Sequence, residues 1–163
     1  LSFGYSEHGK PSLAGSHSGD LRFNVSHSHE LALFAFTWGR ELGVDIEWIR
    51  PEVAGEQIAE QFFSRDEVAT LRALPPGRQA EAFFNCWTRK EAYIKARGEG
   101  LSLPLHLFDV SLAPGEPAAL LRAAMSDETT RWTMTALAPG AGYKAALVAE
   151  GRDWHLRRWQ WPD

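Results

Sequence analysis

Apolar and polar residues alternate along residues 21–27 (LRFNVSH), the period-two signature of a strand with one buried face. Residues 31–38 (LALFAFTW) predict a second, more apolar strand. The intervening Ser28-His29-Glu30 is short enough to be a hairpin connection. Residues 43–48 (GVDIEW) predict a third strand, with Val44 and Ile46 on one face and Asp45 and Glu47 on the other. The spacing then becomes helical. Ile58, Phe62 and Phe63 mark a first helix, and Ser64 followed by Glu67 predicts a capping box opening a second over 65–74. Pro75-Pro76-Gly77 stops it. The longest helix is expected over about 78–97, with Phe83, Phe84, Trp87, Ala92 and Ile94 as apolar positions and Gly98 and Gly100 at its end. Beyond it come 105–112, a small Ala-Leu helix or loop near 117–125, and three strand-like runs at 131–137, 143–149 and 154–161. Strands, then helices, then strands predict an α+β fold, with antiparallel sheet packed against helices.

Composition narrows what such a fold can do. The chain has 163 residues, enough for a single good core. A formal net charge of −4 argues against general affinity for nucleic acid, since no basic excess is present to displace phosphate counterions. No apolar run approaches the roughly 20 residues of a membrane helix. The lone Cys86 excludes an internal disulfide framework and fits a reducing cytoplasm. The first residues, LSFGYSEHGKP, lack signal-peptide features and an initiator Met, which implies a processed chain or a piece of a longer one.

The residues with chemistry fall into four groups. Asp45 and Glu47, two apart on a strand, project both carboxylates from one face. Held close they repel unless a proton or a hard cation such as Mg²⁺ intervenes. Taken alone, such spacing more often marks a solvated strand face. On the long helix, Glu91 and Lys95 stand one turn apart on a shared face, either as a third acid with a phosphate-binding Lys or as an ordinary surface ion pair. Trp87, a turn earlier, reads as a core anchor. Ser26 and His27 lie at a strand end, a natural place for ligand contacts. Gly9-Lys10-Pro11 reads as a turn carrying one positive charge. Two rival sites compete for the same residues. His17, His27 and His29 suggest a zinc site, for which no fourth ligand is evident. A hydrolase triad built on Ser26 and His27 lacks a nucleophile elbow, and adjacent strand residues point oppositely.

The order of these pieces is more specific than any of them. G-K-P, F-N-V-S-H-S, G-V-D-I-E, F-F-S-x-x-E and W-T-R-K-E-A-Y-I-K-A-x-G-x-G-L follow one another from about residue 9 to about residue 105. In this the chain resembles the phosphopantetheinyl transferases of the surfactin-synthetase-activating (Sfp) type. The resemblance implies transfer of the phosphopantetheine arm of coenzyme A to a serine of an acyl or peptidyl carrier protein, with Mg²⁺. It implies Asp45, Glu47 and Glu91 as metal ligands, with Glu91 also the candidate base. Lys95 would contact the phosphates and help the leaving group depart. Ser26 and His27 would bind coenzyme A phosphates, and Gly9, Lys10 and Pro11 would lie against the adenine nucleotide. Lys90 matches the motif without an assigned role.

Members of that family have two similar α/β halves with coenzyme A between them. On this pattern residues 42–163 form a complete C-terminal half carrying the metal site, and residues 1–41 are the remainder of an N-terminal half. A chain so shortened would expose part of an interface, which favours self-association. The alternative function is a non-catalytic module that binds coenzyme A or a carrier protein without turnover.

Overall fold

The computed structural model of the chain describes residues 2–15, 19–125 and 127–161. Its centre is a three-stranded antiparallel sheet and one long helix. Strand β5 (Leu42–Trp48) pairs with β9 (Tyr143–Glu150), which pairs in turn with β8 (Trp132–Leu137), giving the order β5-β9-β8. Helix α3 (Pro76–Arg97) lies across this sheet. The approach is very close at Gly43, where a Cβ would sit 2.2 Å from the Ala92 carbonyl oxygen and 2.3 Å from the Ala96 nitrogen. Only a residue without a side chain lets the helix backbone rest there. Two helices precede α3: α1 (Glu56–Phe62), where the Ile58 and Phe62 pattern places it, and α2 (Arg65–Ala73). Helix α2 has both arms of the expected capping box, with Ser64 accepting from the Glu67 N–H while the Glu67 carboxylate accepts from the Ser64 N–H. Gly98 ends α3 with φ of 72°, a left-handed cap.

The main core fills the space between α3 and the sheet, with Phe83, Phe84, Tyr93, Ile94, Phe108, Trp132 and Val148 all buried. Trp87 is the expected anchor, packed among the rings of Phe62, Phe63 and Phe83. Deep beneath the helix, the fully buried Lys90 ammonium pairs with Glu67 at 2.8 Å. It also donates to the carbonyls of Leu105 and Phe108 at 2.7 and 2.6 Å. The other oxygen of Glu67 accepts from the Val110 N–H at 2.8 Å, so this pair ties α2, α3 and the 105–110 segment together.

Strand β3 (Leu21–Ser28) and β4 (Leu31–Trp38) form the expected hairpin, with Ser28 opposite Leu31. Leu33 and Ala35 pack on Leu42, Val44, Leu147 and Ala149, the sheet face turned away from α3. Phe34, Phe36 and Trp38 face outward and are exposed, with the Phe36 ring stacked on Phe23. A small hairpin, β1 (Phe3–Tyr5) with β2 (Pro11–Leu13), precedes it. Strands β6 (Asp109–Val110) and β7 (Leu120–Arg122) pair as a short ribbon, where the sequence suggested a small helix or loop near 117–125. A single turn of helix, α4 (Glu128–Arg131), leads into β8.

The strand expected over 154–161 is not formed among its residues. Gly151, at φ of 81°, turns the chain away from β9. Trp154 then docks on the smaller cluster, while Trp159 and Trp161 stand exposed with no strand beside them. Alternation alone does not secure a partner, and these residues pair with none of the sheet edges. Among the described residues no helix is long and apolar enough to cross a membrane.

Candidate functional site

The acidic face of β5 meets the α3 face bearing Glu91 and Lys95, because both elements are pinned where Gly43 admits the helix. Asp45 is buried, and its Oδ1 accepts from the Lys95 ammonium at 2.7 Å and from the Ser26 hydroxyl at 2.9 Å. Lys95 thus spends its charge on β5 rather than on Glu91, which rules out the plain helix ion pair that the spacing allowed. It also reaches the Val44 carbonyl at 3.3 Å and the Ser26 hydroxyl at 3.2 Å. Glu47 accepts from the Ser28 hydroxyl at 2.9 Å.

The electrostatics of this cluster are unbalanced. Burial raises the pKa of Asp45, opposed by Lys95 and the Ser26 hydrogen bond. Glu91 is pushed from 4.5 to about 7, first by burial, then by the Asp45 charge, with Lys95 pulling the other way and Glu47 adding a little more repulsion. Asp45 Oδ2 is buried without a hydrogen-bond partner. A buried carboxylate oxygen left unpaired costs free energy unless a proton or cation meets it. The donor set is all oxygen, which suits a hard divalent ion. The three acids are gathered but open: among the described residues no three His, Cys, Asp or Glu side chains converge closely enough to enclose a metal.

The remaining expected residues divide. Ser26 and His27 point to opposite faces of β3; Ser26 is buried in the acidic cluster, whereas His27 is exposed. The turn expected at Gly9-Lys10-Pro11 lies one step earlier, at Glu7-His8; Gly9, at φ of 81°, and Lys10 close it, and Pro11 opens β2. The Lys10 ammonium bonds Glu41 at 2.5 Å and the Ala96 carbonyl at 2.8 Å, and its stem lies against Gly98. Lys10 therefore sits within a helical turn of Lys95. Of the zinc alternative, His17 lies outside the described residues, His27 is exposed, and the His29 ring stacks on Trp48 at 5.2 Å. Those histidines form no shared site among the described residues.

Four contributors escaped the sequence reading: Asn24 and Ser28 beside Ser26, the contact glycine Gly43, and the Glu67 partner of Lys90. Ser26 reads in sequence as one of a ligand pair with His27, and Ser28 as part of a hairpin connection. The signal that sets the Asn24-x-Ser26-x-Ser28 face apart is the absence of any charged residue among the three.

Residues 41–148 match a family model described as the 4′-phosphopantetheinyl transferase superfamily. The 4′-phosphopantetheinyl transferase HetI of Nostoc sp. is 37% identical over 163 residues, covering 99% of this chain and 65% of that protein. The 4′-phosphopantetheinyl transferase Sfp of Bacillus subtilis is 38% identical over 112 residues, covering 69% of this chain and 48% of that protein. The chain therefore spans between about half and two thirds of these relatives' lengths. The crystal structure of holo-[acyl-carrier-protein] synthase from Thermotoga maritima aligns with a TM-score of 0.50 at 18% identity, over 69% of this chain and 63% of that one, a likeness of fold.

Proposed function

The chain belongs to the 4′-phosphopantetheinyl transferase superfamily, in its Sfp type, and on that premise we propose that it transfers the phosphopantetheine arm of coenzyme A to a serine of an acyl or peptidyl carrier protein. The observation that carries this reading is the meeting of Asp45, Glu91 and Lys95 at one place, with a buried Asp45 oxygen unpaired and Glu91 raised to about 7.

In this proposal Asp45, Glu47 and Glu91 hold Mg²⁺, which when bound supplies positive charge against the coenzyme A pyrophosphate and stabilises charge developing there. Lys95, at the inner end of the cluster, faces the phosphates. It stabilises the negative charge that gathers on the departing adenosine bisphosphate. Glu91 is the candidate base for the carrier serine, taking its proton as the serine oxygen attacks. The serine oxygen forms a bond to the phosphorus bearing pantetheine as the bond to the adenosine-bearing phosphate oxygen breaks. The Gly9-Lys10-Pro11 segment lies against the end of α3 close to Lys95, which supports its assignment to the adenine nucleotide. His27, free on the outer face, is assigned to a coenzyme A phosphate, while Ser26 acts first on Asp45. The reducing cytoplasm is the proposed compartment, in keeping with the single buried thiol of Cys86.

The deciding assay incubates the chain with coenzyme A, Mg²⁺ and an apo carrier domain and follows the carrier's mass. Addition of one phosphopantetheine is expected, with loss of product in Glu91→Ala. Coenzyme A binding with no mass increase would leave the non-catalytic module in its place.

A further inference from the structure

Strand β5 has backbone pairing on one edge, to β9, and something else on the other. Its N–H groups at 44, 46 and 48 point toward β3, where alternate side chains receive them. The Asn24 amide oxygen accepts from Val44 N–H at 2.9 Å, the Ser26 hydroxyl from Ile46 N–H at 3.3 Å, and the Ser28 hydroxyl from Trp48 N–H at 3.0 Å. A side-chain ladder thus takes the place of a neighbouring strand's carbonyls. An edge strand left bare would expose these donors.

The two serines do a second thing. A hydroxyl has a single proton to donate. Having accepted from the β5 backbone, Ser26 donates to Asp45 Oδ1 and Ser28 donates to Glu47 Oε2, each at 2.9 Å. Each hydroxyl is therefore bonded to the backbone N–H of one β5 residue and to the carboxylate of the residue before it. Such a closed pair of contacts fixes the carboxylate's torsion as well as its position. One oxygen of each acid is engaged by these contacts, and Asp45 Oδ2 is left buried without a hydrogen-bond partner.

We infer that Ser28 is a positioning residue for the acidic site, holding Glu47 through the Trp48 amide so that the Glu47 carboxylate is preset for a divalent cation. This rests on the metal reading proposed above. The contacts of the Ser28 hydroxyl are to Glu47 and the Trp48 N–H. Its effect should appear in metal affinity rather than in the use of coenzyme A.

The test compares the wild-type chain with Ser28→Ala, Ser28→Thr and Ser28→Cys. Calorimetric titration with MgCl₂ alone reads the metal, and amide hydrogen exchange without metal reads the ladder. In Ser28→Ala, exchange at Trp48 should quicken about tenfold while Val44 stays protected. Mg²⁺ affinity should fall about tenfold, as for loss of a group orienting a ligand carboxylate. The KM for coenzyme A at saturating Mg²⁺ should stay within about twofold, a split that general destabilisation would not give. Ser28→Thr, which keeps the hydroxyl, should restore both readouts, and Ser28→Cys, a weaker donor, should fall between. Unchanged Mg²⁺ affinity in Ser28→Ala would overturn the positioning role while leaving the metal site standing. A wild-type chain that binds no Mg²⁺ would overturn the metal reading and this role with it. Unchanged exchange at Trp48 would remove the ladder itself.

Discussion

Glu91→Gln removes the charge on the acid most strained by its surroundings while keeping its shape. The carboxyl is raised from 4.5 to about 7 in the folded chain. At 1.36 kcal/mol per pKa unit that difference corresponds to at most about 3 kcal/mol, and to about 2 once water access to a partly exposed group is allowed for. The sign follows from which form the fold prefers. A raised carboxyl favours the protonated state, so the benefit is whole below pH 4.5. It is lost progressively between about 4.5 and 7, and above 7 the folded chain bears the full penalty of a buried charge beside Asp45 and Glu47. Gln cannot ionise. In chelator at pH 8 the variant should therefore be more stable than wild type by about 2 kcal/mol, or about 4–8 °C in Tm for a chain of this size. The advantage should shrink toward nothing as the pH approaches 4.5. Added Mg²⁺ should stabilise wild type at pH 8 and leave the variant little changed, since a ligand that binds only the folded state raises its stability. Thermal melts from pH 5 to 8, with EDTA and then with Mg²⁺, decide it. A variant less stable than wild type at pH 8, or a difference independent of pH, would refute the claim that Glu91 is held against its own charge.

Two other substitutions probe the frame around the site. Lys90→Met keeps the volume but leaves the Glu67 carboxylate, 3% exposed, without its counter-ion; a loss of about 3–5 kcal/mol in urea unfolding is expected, and a loss under about 1 kcal/mol would deny the pair its structural role. Gly43→Ala places a methyl 2.2 Å from the Ala92 carbonyl oxygen, where backbone rather than a flexible side chain must yield. It should cost at least about 1–3 kcal/mol by overpacking, and it should depress carrier modification further than its stability loss explains, because α3 shifts off Asp45. A fully active, stable alanine variant would show that the helix does not need this contact.

Much of the chain was legible because its signals are local. The capping box needs only Ser64 and Glu67 three residues apart, and the left-handed cap needs only a glycine at the end of α3. The β3–β4 hairpin and β5 declared themselves through alternation, since a half-buried strand writes its two faces into neighbouring residues. The 154–161 run carried a similar signal and failed. A strand is stable only with a partner edge, and partnership is not a property of eight residues. Ordered motifs also pointed to Asp45, Glu47, Glu91 and Lys95 as a group, and those residues do share one region of the fold.

The sequence by itself determined strands β3 to β5, helices α1 to α3, the α+β class and the acids' place on one strand face and one helix face. Tertiary structure alone decided what those acids experience. Asp45 and Glu91 are 46 positions apart in the sequence, and their mutual repulsion exists only because Gly43 lets α3 settle on β5. The same holds for Lys90, an ordinary cation in a helix until packing seals it beneath α3 with Glu67 as partner. It holds too for Asn24, Ser26 and Ser28, whose polar face is turned inward by the free edge of β5 rather than outward to water. Periodicity shows that a face is polar; which polar groups meet it is set by residues far along the chain.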